Sequence, residues 1–330
     1  MISDEELDAA VAAGRVPAET AAALRAHVAE RRQRHGADEE NFRLLSGFND
    51  IFVVIACALL LLPLGFFVGQ FAHWAGAAAV AGTAWLLAEF FVRRRRMALP
   101  AITLMLGFLA AVAFAGSFVF EDSALGRAAA CAVATLAAGA HWRRFRVPAT
   151  VAASVLCVLG CAINLMHALR PADAQRLAPL FFAAGVVAFA LALYWDSTDR
   201  RRQTERADTA FWLHLLAAPL LVHPVFTAID IPANGASGGQ LLLVLLLYLL
   251  LAVVSLAIDR RALMVSALGY VLFAVASRQV NNDHDSDGVA LPALLIGGAL
   301  LLMSAGWQRY RALVLRLLPS AIVARLVPAD

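Results

Sequence analysis

RRRRMALPAITLMLGFLAA, residues 93–111, decides the fold. Four consecutive arginines give way to small and apolar residues, and the uncharged run continues to Val119. That run is about the 20 residues a helix needs to cross a hydrocarbon core. The same wording returns in RRFRVPATVAASVLCVLG, residues 143–160, and in DRRALMVSALGYVLFAVA, residues 259–276. Each passes from arginines through small residues into an apolar stretch, so the unit reads as a helical hairpin closed by arginine and used several times over.

Working outward from these stretches, the spacing predicts ten membrane-spanning helices, over 51–70, 72–92, 97–119, 124–142, 147–169, 177–195, 209–228, 240–258, 262–280 and 289–307. The fourth is rich in alanine and carries Arg127, and the first two leave only the Gln70 to Gly76 region for a turn. The expected fold is therefore all-α, a polytopic transmembrane bundle of about ten spans arranged as hairpin repeats. The expected organisation is a cytosolic helical docking segment at 1–48, a membrane domain at 49–308 and a cytoplasmic amphipathic helix at 309–330. The direct repeat differs from the inverted repeats with paired broken helices that mark many secondary transporters.

Composition agrees. Of 330 residues 62% are hydrophobic and 15% charged, whereas a soluble domain carries about 25% charged residues. The chain contains no lysine, so its 27 basic residues are all arginine. Coding bias explains this most simply, since alanine is in excess as well. The net charge of +3 sits beside the spans, which points to lipid phosphate and argues against nucleic acid. Arg93, Arg94, Arg95, Arg96, Arg143 and Arg144 are the expected headgroup contacts.

Cytoplasmic loops retain positive charge during insertion. Placing the N-terminus inside leaves only Arg127, Arg170, Arg176 and Arg278 outside, so both termini are expected in the cytoplasm. The inner arginine clusters recur about every 50 to 60 residues. The acidic start MISDEELDAA lacks the basic and apolar regions of a cleavable signal. The first span is expected to direct its own insertion.

Before the spans, SDEELDAAVAAG and PAETAAALRAHVAERRQR read as two short helices. Ser3 and Glu6 form a capping pattern, Gly14 is placed to end the first helix and Pro17 to open the second. Leu7, Val11, Leu24 and Val28 supply few large apolar groups, so the pair suits docking onto a partner better than folding around its own core. After the spans, RYRALVLRLLPSAIVARLV has Leu313, Leu317, Ile322 and Leu326 near helical spacing with Arg309, Arg316 and Arg325 between them. It reads as an amphipathic interfacial helix bent at Pro319.

Polar residues inside spans are functional candidates because they are costly to place there. In the fifth span Cys157, Cys161, Asn164 and His167 share one broad face. Soft-metal ligation is open to two thiolates and an imidazole, but no further ligand is identified, and small-residue packing with Asn164 tied between helices accounts for them too. The remaining cysteines, Cys57 and Cys131, also lie within spans and read as packing residues.

The seventh span holds His214, Pro219, His223 and Pro224. Its prolines free carbonyls that a proton carrier or ion could use, although the histidines fall on opposite faces of a straight helix. Glu89 stands one turn before Arg93, which suits an interfacial ion pair. In NNDHDSDG, Asp283, Asp285, Asp287 and Gly288 match the start of a calcium loop, but Leu294 occupies the position of the bidentate glutamate. Calcium at this outer loop and a plain solvated turn are both open. No phosphate loop, dinucleotide fingerprint, HExxH, GxSxG or CxxC is present.

The segment ELDAAVAAGRVPAETAAALRAHV, residues 6–28, followed by many arginine-punctuated spans, resembles the bacterial membrane family termed domain of unknown function 2157. The resemblance implies the order of parts and brings no catalytic residue. The leading expectation is a non-enzymatic bacterial inner-membrane scaffold whose N-terminal helices meet a protein partner. A small-solute or ion transporter using spans five and seven is the alternative. A lipid-directed membrane enzyme, built around His167, His223 and the outer aspartates, comes third.

Overall fold

A computed structural model of the chain describes residues 7, 10–24, 48–120, 123–169, 174–199, 202, 204–230, 237–279, 287–323 and 326. It divides into two compact units, residues 1–42 with Asp330, and residues 43–329. Among the described residues the secondary structure is helical throughout, with no strand.

In the first unit, residues 10–12 and 18–24 are helical and are separated by a turn at Gly14. Gly14 has φ 68°, a left-handed conformation that glycine adopts without a side-chain penalty, so it ends the first helix as its position predicts. The Ala21 amide donates to Pro17 O at 3.0 Å, which opens the second helix at the proline. Leu7 and Ala21 are buried, whereas Leu24 is exposed. The Ser3–Glu6 cap and Val28 lie outside the described residues.

The second unit contains a helix at each of the ten expected positions. These are α1 (Phe48–Gly69), α2 (His73–Ala88), α3 (Ala98–Val119), α4 (Ala124–Phe145), α5 (Ala149–Leu169), α6 (Ala174–Thr198), α7 (Glu205–Thr227), α8 (Gly238–Ile258), α9 (Ala262–Gln279) and α10 (Asp287–Ala305). Seven are long and apolar enough to cross a membrane: α1, α2 with its extension to Arg94, α3, α5, α6 from Leu177, α7 and α8. The other three are helical but fall short for separate reasons. In α4, Arg127, His141, Arg143 and Arg144 dilute the apolar content. The apolar part of α9 runs over Ala262–Val275 and that of α10 over Ile296–Ala305.

Helices adjacent in sequence pack against each other through most of the unit. In addition α1 packs on α3, α3 on α5, α5 on α7 and α7 on α9. The odd-numbered helices thus form a connected row, with α7 the most buried of the seven at 56%. On α1 the buried positions Asp50, Val53, Cys57 and Leu61 recur at helical spacing, while Phe52, Leu59, Leu62 and Phe66 on its other faces are exposed. Exposed leucine and phenylalanine on this scale suit hydrocarbon as the surrounding medium.

Small residues set how closely the helices approach. A Cβ on Gly76 would stand 2.5 Å from Gly65 O and 2.8 Å from Gly69 Cα, so the α1–α2 hairpin closes on three glycines. Its turn is confined to Gln70, Phe71 and Ala72. Gly185 of α6 likewise faces the α7 backbone, where an added Cβ would stand 2.9 Å from Leu220 C.

Several links between helices share a backbone feature. Arg96 after α2, Arg146 after α4, Arg202 after α6 and Asp259 after α8 all have positive φ, between 51° and 57°. Arg146 and Asp259 directly cap α4 and α8, Arg96 and Arg202 lie beyond the last turns of α2 and α6, and Asp230 after α7 has the same left-handed conformation. Other starts are capped by side chains: Ser123 Oγ accepts from Gly126 N at 2.9 Å at α4, and Ser237 with Gln240 forms a reciprocal capping box at α8.

Beyond α10, α11 (Trp307–Leu317) and α12 (Ser320–Val323) flank Pro319, with Leu318 extended between them. The described part of the expected C-terminal helix is thus helical on both sides of Pro319. Leu313 and Leu317 are exposed together with Arg309 and Arg316. Trp307 and Arg311 are buried.

Candidate functional site

Two buried carboxylates organise the arginine-bearing ends of α6, α7, α8 and α11. Asp196, near the end of α6, is 6% exposed. The Arg260 guanidinium grips it from the α8–α9 turn, Nη2 donating to Oδ1 at 2.7 Å and Nε to Oδ2 at 3.4 Å. His214 of α7 brings Nε2 to 2.9 Å from Oδ2. An ionised carboxylate only accepts, so this nitrogen carries the hydrogen. Arg260 also donates to Ala207 O at 3.3 Å and approaches the Phe211 ring. Three elements are thus tied at one carboxylate.

Asp259 follows α8 and is 7% exposed. Arg202 Nη1 donates to its Oδ2 at 2.9 Å, and Trp307 Nε1 to its Oδ1 at 2.8 Å. Arg311 Nε stands 3.8 Å from Oδ1. Arg202 Nη2 also donates to the carbonyls of Asp259 and Ile258, at 3.0 and 3.3 Å. Arg261 lies over the Trp307 ring, 4.9 Å from its centroid. Arginines from three separate clusters of the sequence therefore meet here, and Arg260 and Arg311 are only 4% and 2% exposed.

The sequence-derived candidates are distributed among different partners. Asn164 of α5 accepts from Arg127 Nε of α4 at 3.2 Å and donates to Gly160 O at 2.8 Å. His223 of α7 engages Tyr270 of α9 through Nδ1 and the phenol oxygen. His167 is exposed. The structure brings His214 to Asp196 and Arg260 instead of to Asn164 or His223. Of the four residues expected to form an intramembrane polar site, Asn164, His214 and His223 lie in separate interhelical contacts and His167 lies exposed at the end of α5.

No family model, curated protein or solved structure matches the chain.

A second polar site lies between α4 and α5. His141 is 1% exposed, with Nδ1 3.3 Å from Thr150 Oγ1. Trp85, Phe108 and Phe145 surround its ring, with centroids at 5.9, 5.6 and 4.6 Å. Its Nε2 has no hydrogen-bond partner, and the same is true of Nδ1 of His214.

Near the end of α2 the helix widens into a π turn, Glu89–Arg94. Glu89 accepts from Arg93 Nη1 at 2.9 Å and, on both oxygens, from Arg144 Nε and Nη2 at 2.6 and 3.0 Å. The expected Glu89–Arg93 pair is present and is completed by an arginine from α4. Arg93 to Arg96, Arg143 and Arg144 are all exposed.

Asp283 and Asp285 lie outside the described residues, and Asp287 is the first residue of α10. Among the described residues no three His, Cys, Asp or Glu side chains converge as metal ligands. The four cysteines are free thiols, with Cys131 Sγ packed against Gly160.

Sequence reasoning missed Asp196, Asp259, His141 and Trp307. A signal was available for the two acids, because each stands within a few residues of an arginine cluster at a helix end. Nothing in a linear pattern marks which distant arginine each one meets.

Proposed function

We propose that the protein is a non-enzymatic, multi-pass bacterial inner-membrane scaffold. Its chain crosses ten times as hairpin repeats, both termini are cytoplasmic, and the N-terminal helices are offered to a protein partner. The observation that carries this reading is the engagement of Asn164, His214 and His223 by three different adjacent helices. Polar groups used in this way hold helices together. The four left-handed hairpin ends at Arg96, Arg146, Arg202 and Asp259 support the repeat. The packing of α4 on α3 and α5, of α9 on α7 and α8, and of α10 on α9 supports counting these three as crossings. The likeness of residues 6–28 to domain of unknown function 2157 belongs to the same proposal.

Deleting residues 1–40 tests it. The membrane part is expected to stay folded in detergent while a protein that co-purifies with the full chain is lost. Retention of every co-purifying protein would contradict the scaffold reading.

One observation favours a transporter instead: α7 is the most buried span, contains Pro219 and Pro224, and packs directly on α5. In that case Asn164→Ala or His223→Ala abolishes solute or ion movement in a folded protein. Movement that survives both substitutions removes these residues as the pathway.

A further inference from the structure

The strongest charge concentration in the described residues is at the ends of α2 and α4, and its charges are arranged unequally. Glu89 is the acid paired there, and its two oxygens are taken by Arg93 and Arg144. Arg94, Arg95, Arg96, Arg143 and Arg146 are exposed and pair with no acidic side chain among the described residues. The Glu89 clamp therefore draws together two arginine runs some 50 residues apart in sequence while engaging only Arg93 and Arg144 of them.

Two of the surplus guanidiniums are held over rings of their own helices. Arg146 lies 4.3 Å from the Trp142 centroid and Arg95 5.6 Å from that of Phe90. Arg96 and Arg146, both in left-handed conformation, follow the two helix ends that the clamp joins. The apolar surface beside them is open, with Leu86 70% and Phe90 42% exposed one to two turns before the arginines. Phosphate oxygens suit the planar forks of arginine, and acyl chains suit the exposed leucine and phenylalanine.

We infer that the ends of α2 and α4 form a binding site for a membrane lipid carrying two phosphates on one headgroup. One phosphate is taken by the Arg94–Arg96 run and the other by Arg143 and Arg146, with Glu89, Arg93 and Arg144 as the bridge holding the halves in register. A lipid with a single phosphate engages one half only. The inference rests on the membrane reading, with the arginine ends at the inner leaflet, and does not depend on a partner for the N-terminal helices.

The test uses the full chain, purified, delipidated in detergent and titrated with diphosphatidylglycerol or with phosphatidylglycerol at equal phosphate. Bound lipid is read by native mass spectrometry. The expected result is one diphosphatidylglycerol per chain, bound about tenfold or more tightly than phosphatidylglycerol, because each arginine at a membrane surface contributes measurably. Arg94→Gln, Arg95→Gln and Arg143→Gln together abolish the preference, while Arg309→Gln with Arg316→Gln leaves it intact. Should the triple variant fold poorly, Arg143→Gln alone reports the same loss on a smaller scale.

Equal binding of the two lipids, or a preference that survives in the triple variant and in Arg143→Gln, overturns the site. Displacement of the lipid by inorganic pyrophosphate at matched concentration overturns the lipid as its occupant. Lipid preference that persists when deletion of residues 1–40 costs no partner supports this site and contradicts only the scaffold reading.

Discussion

At Asp196 the carboxylate has hydrogen bonds from a guanidinium and an imidazole, and all three groups are buried. Removing one partner from a buried pair leaves an uncompensated charge, which costs more than the pair contributes. Arg260→Gln is therefore expected to destabilise the unit by about 3–5 kcal/mol. Asp196→Asn combined with Arg260→Gln is expected to cost clearly less than the sum of the single changes. Reversible unfolding in mixed micelles measures both, and additive losses would refute the coupling. Trp307→Phe removes the donor to Asp259 and is expected to cost about 1.5–3 kcal/mol, the range for a hydrogen bond to a charged group. An unchanged unfolding midpoint would show that Trp307 anchors α11 through its ring alone. The sequence marked Asn164, His214 and His223 correctly as polar groups within helices, yet their partners Arg127, Asp196 and Tyr270 were not legible. Hydropathy registers how deep a residue lies and carries no information on which helix stands beside it.

Among the elements, the α1–α2 hairpin depends on glycine because its helices meet backbone to backbone. Gly76→Val is expected to force α1 and α2 apart, since the new side chain would begin 2.5 Å from Gly65 O, and to lower the unfolding midpoint substantially. Gly82→Val, on the same helix with nothing within 4 Å of its added Cβ, is the matched control and is expected to be nearly neutral. Equal effects of the two would mean that α2 is destabilised by β-branching and not by the crossing. Helix positions were legible because apolar runs of span length and arginine stops are local features. The π turn at Glu89–Arg94 was not, because no local pattern marks it, nor was the arginine of α4 that meets Glu89 there. The expectation that the arginine clusters simply face headgroups held no signal that Arg260 and Arg311 would be buried. Convergence of α6, α8 and α11 buries them, and that packing is a tertiary fact.

For the whole molecule, the governing claim is that the chain alternates across a bilayer in arginine-closed hairpins. Seven helices meet the length and composition needed, and α4 is the decisive one of the remaining three. Its alanines and its Arg127 make it a poor span in isolation, whereas its place between α3 and α5, with Arg127 held by Asn164, suits a helix inserted with its neighbours. If α4 does not cross, every later helix reverses direction and the arginines of the later clusters face the wrong side. The most direct measurement is the sidedness of single cysteines placed at Ser123 and at Arg146, the two ends of α4, in a chain whose four native cysteines are replaced. Each is probed in intact cells with a thiol reagent that does not cross the membrane. The account predicts that Ser123→Cys is labelled from outside and Arg146→Cys only after the membrane is opened. Labelling of both from the same side would contradict it.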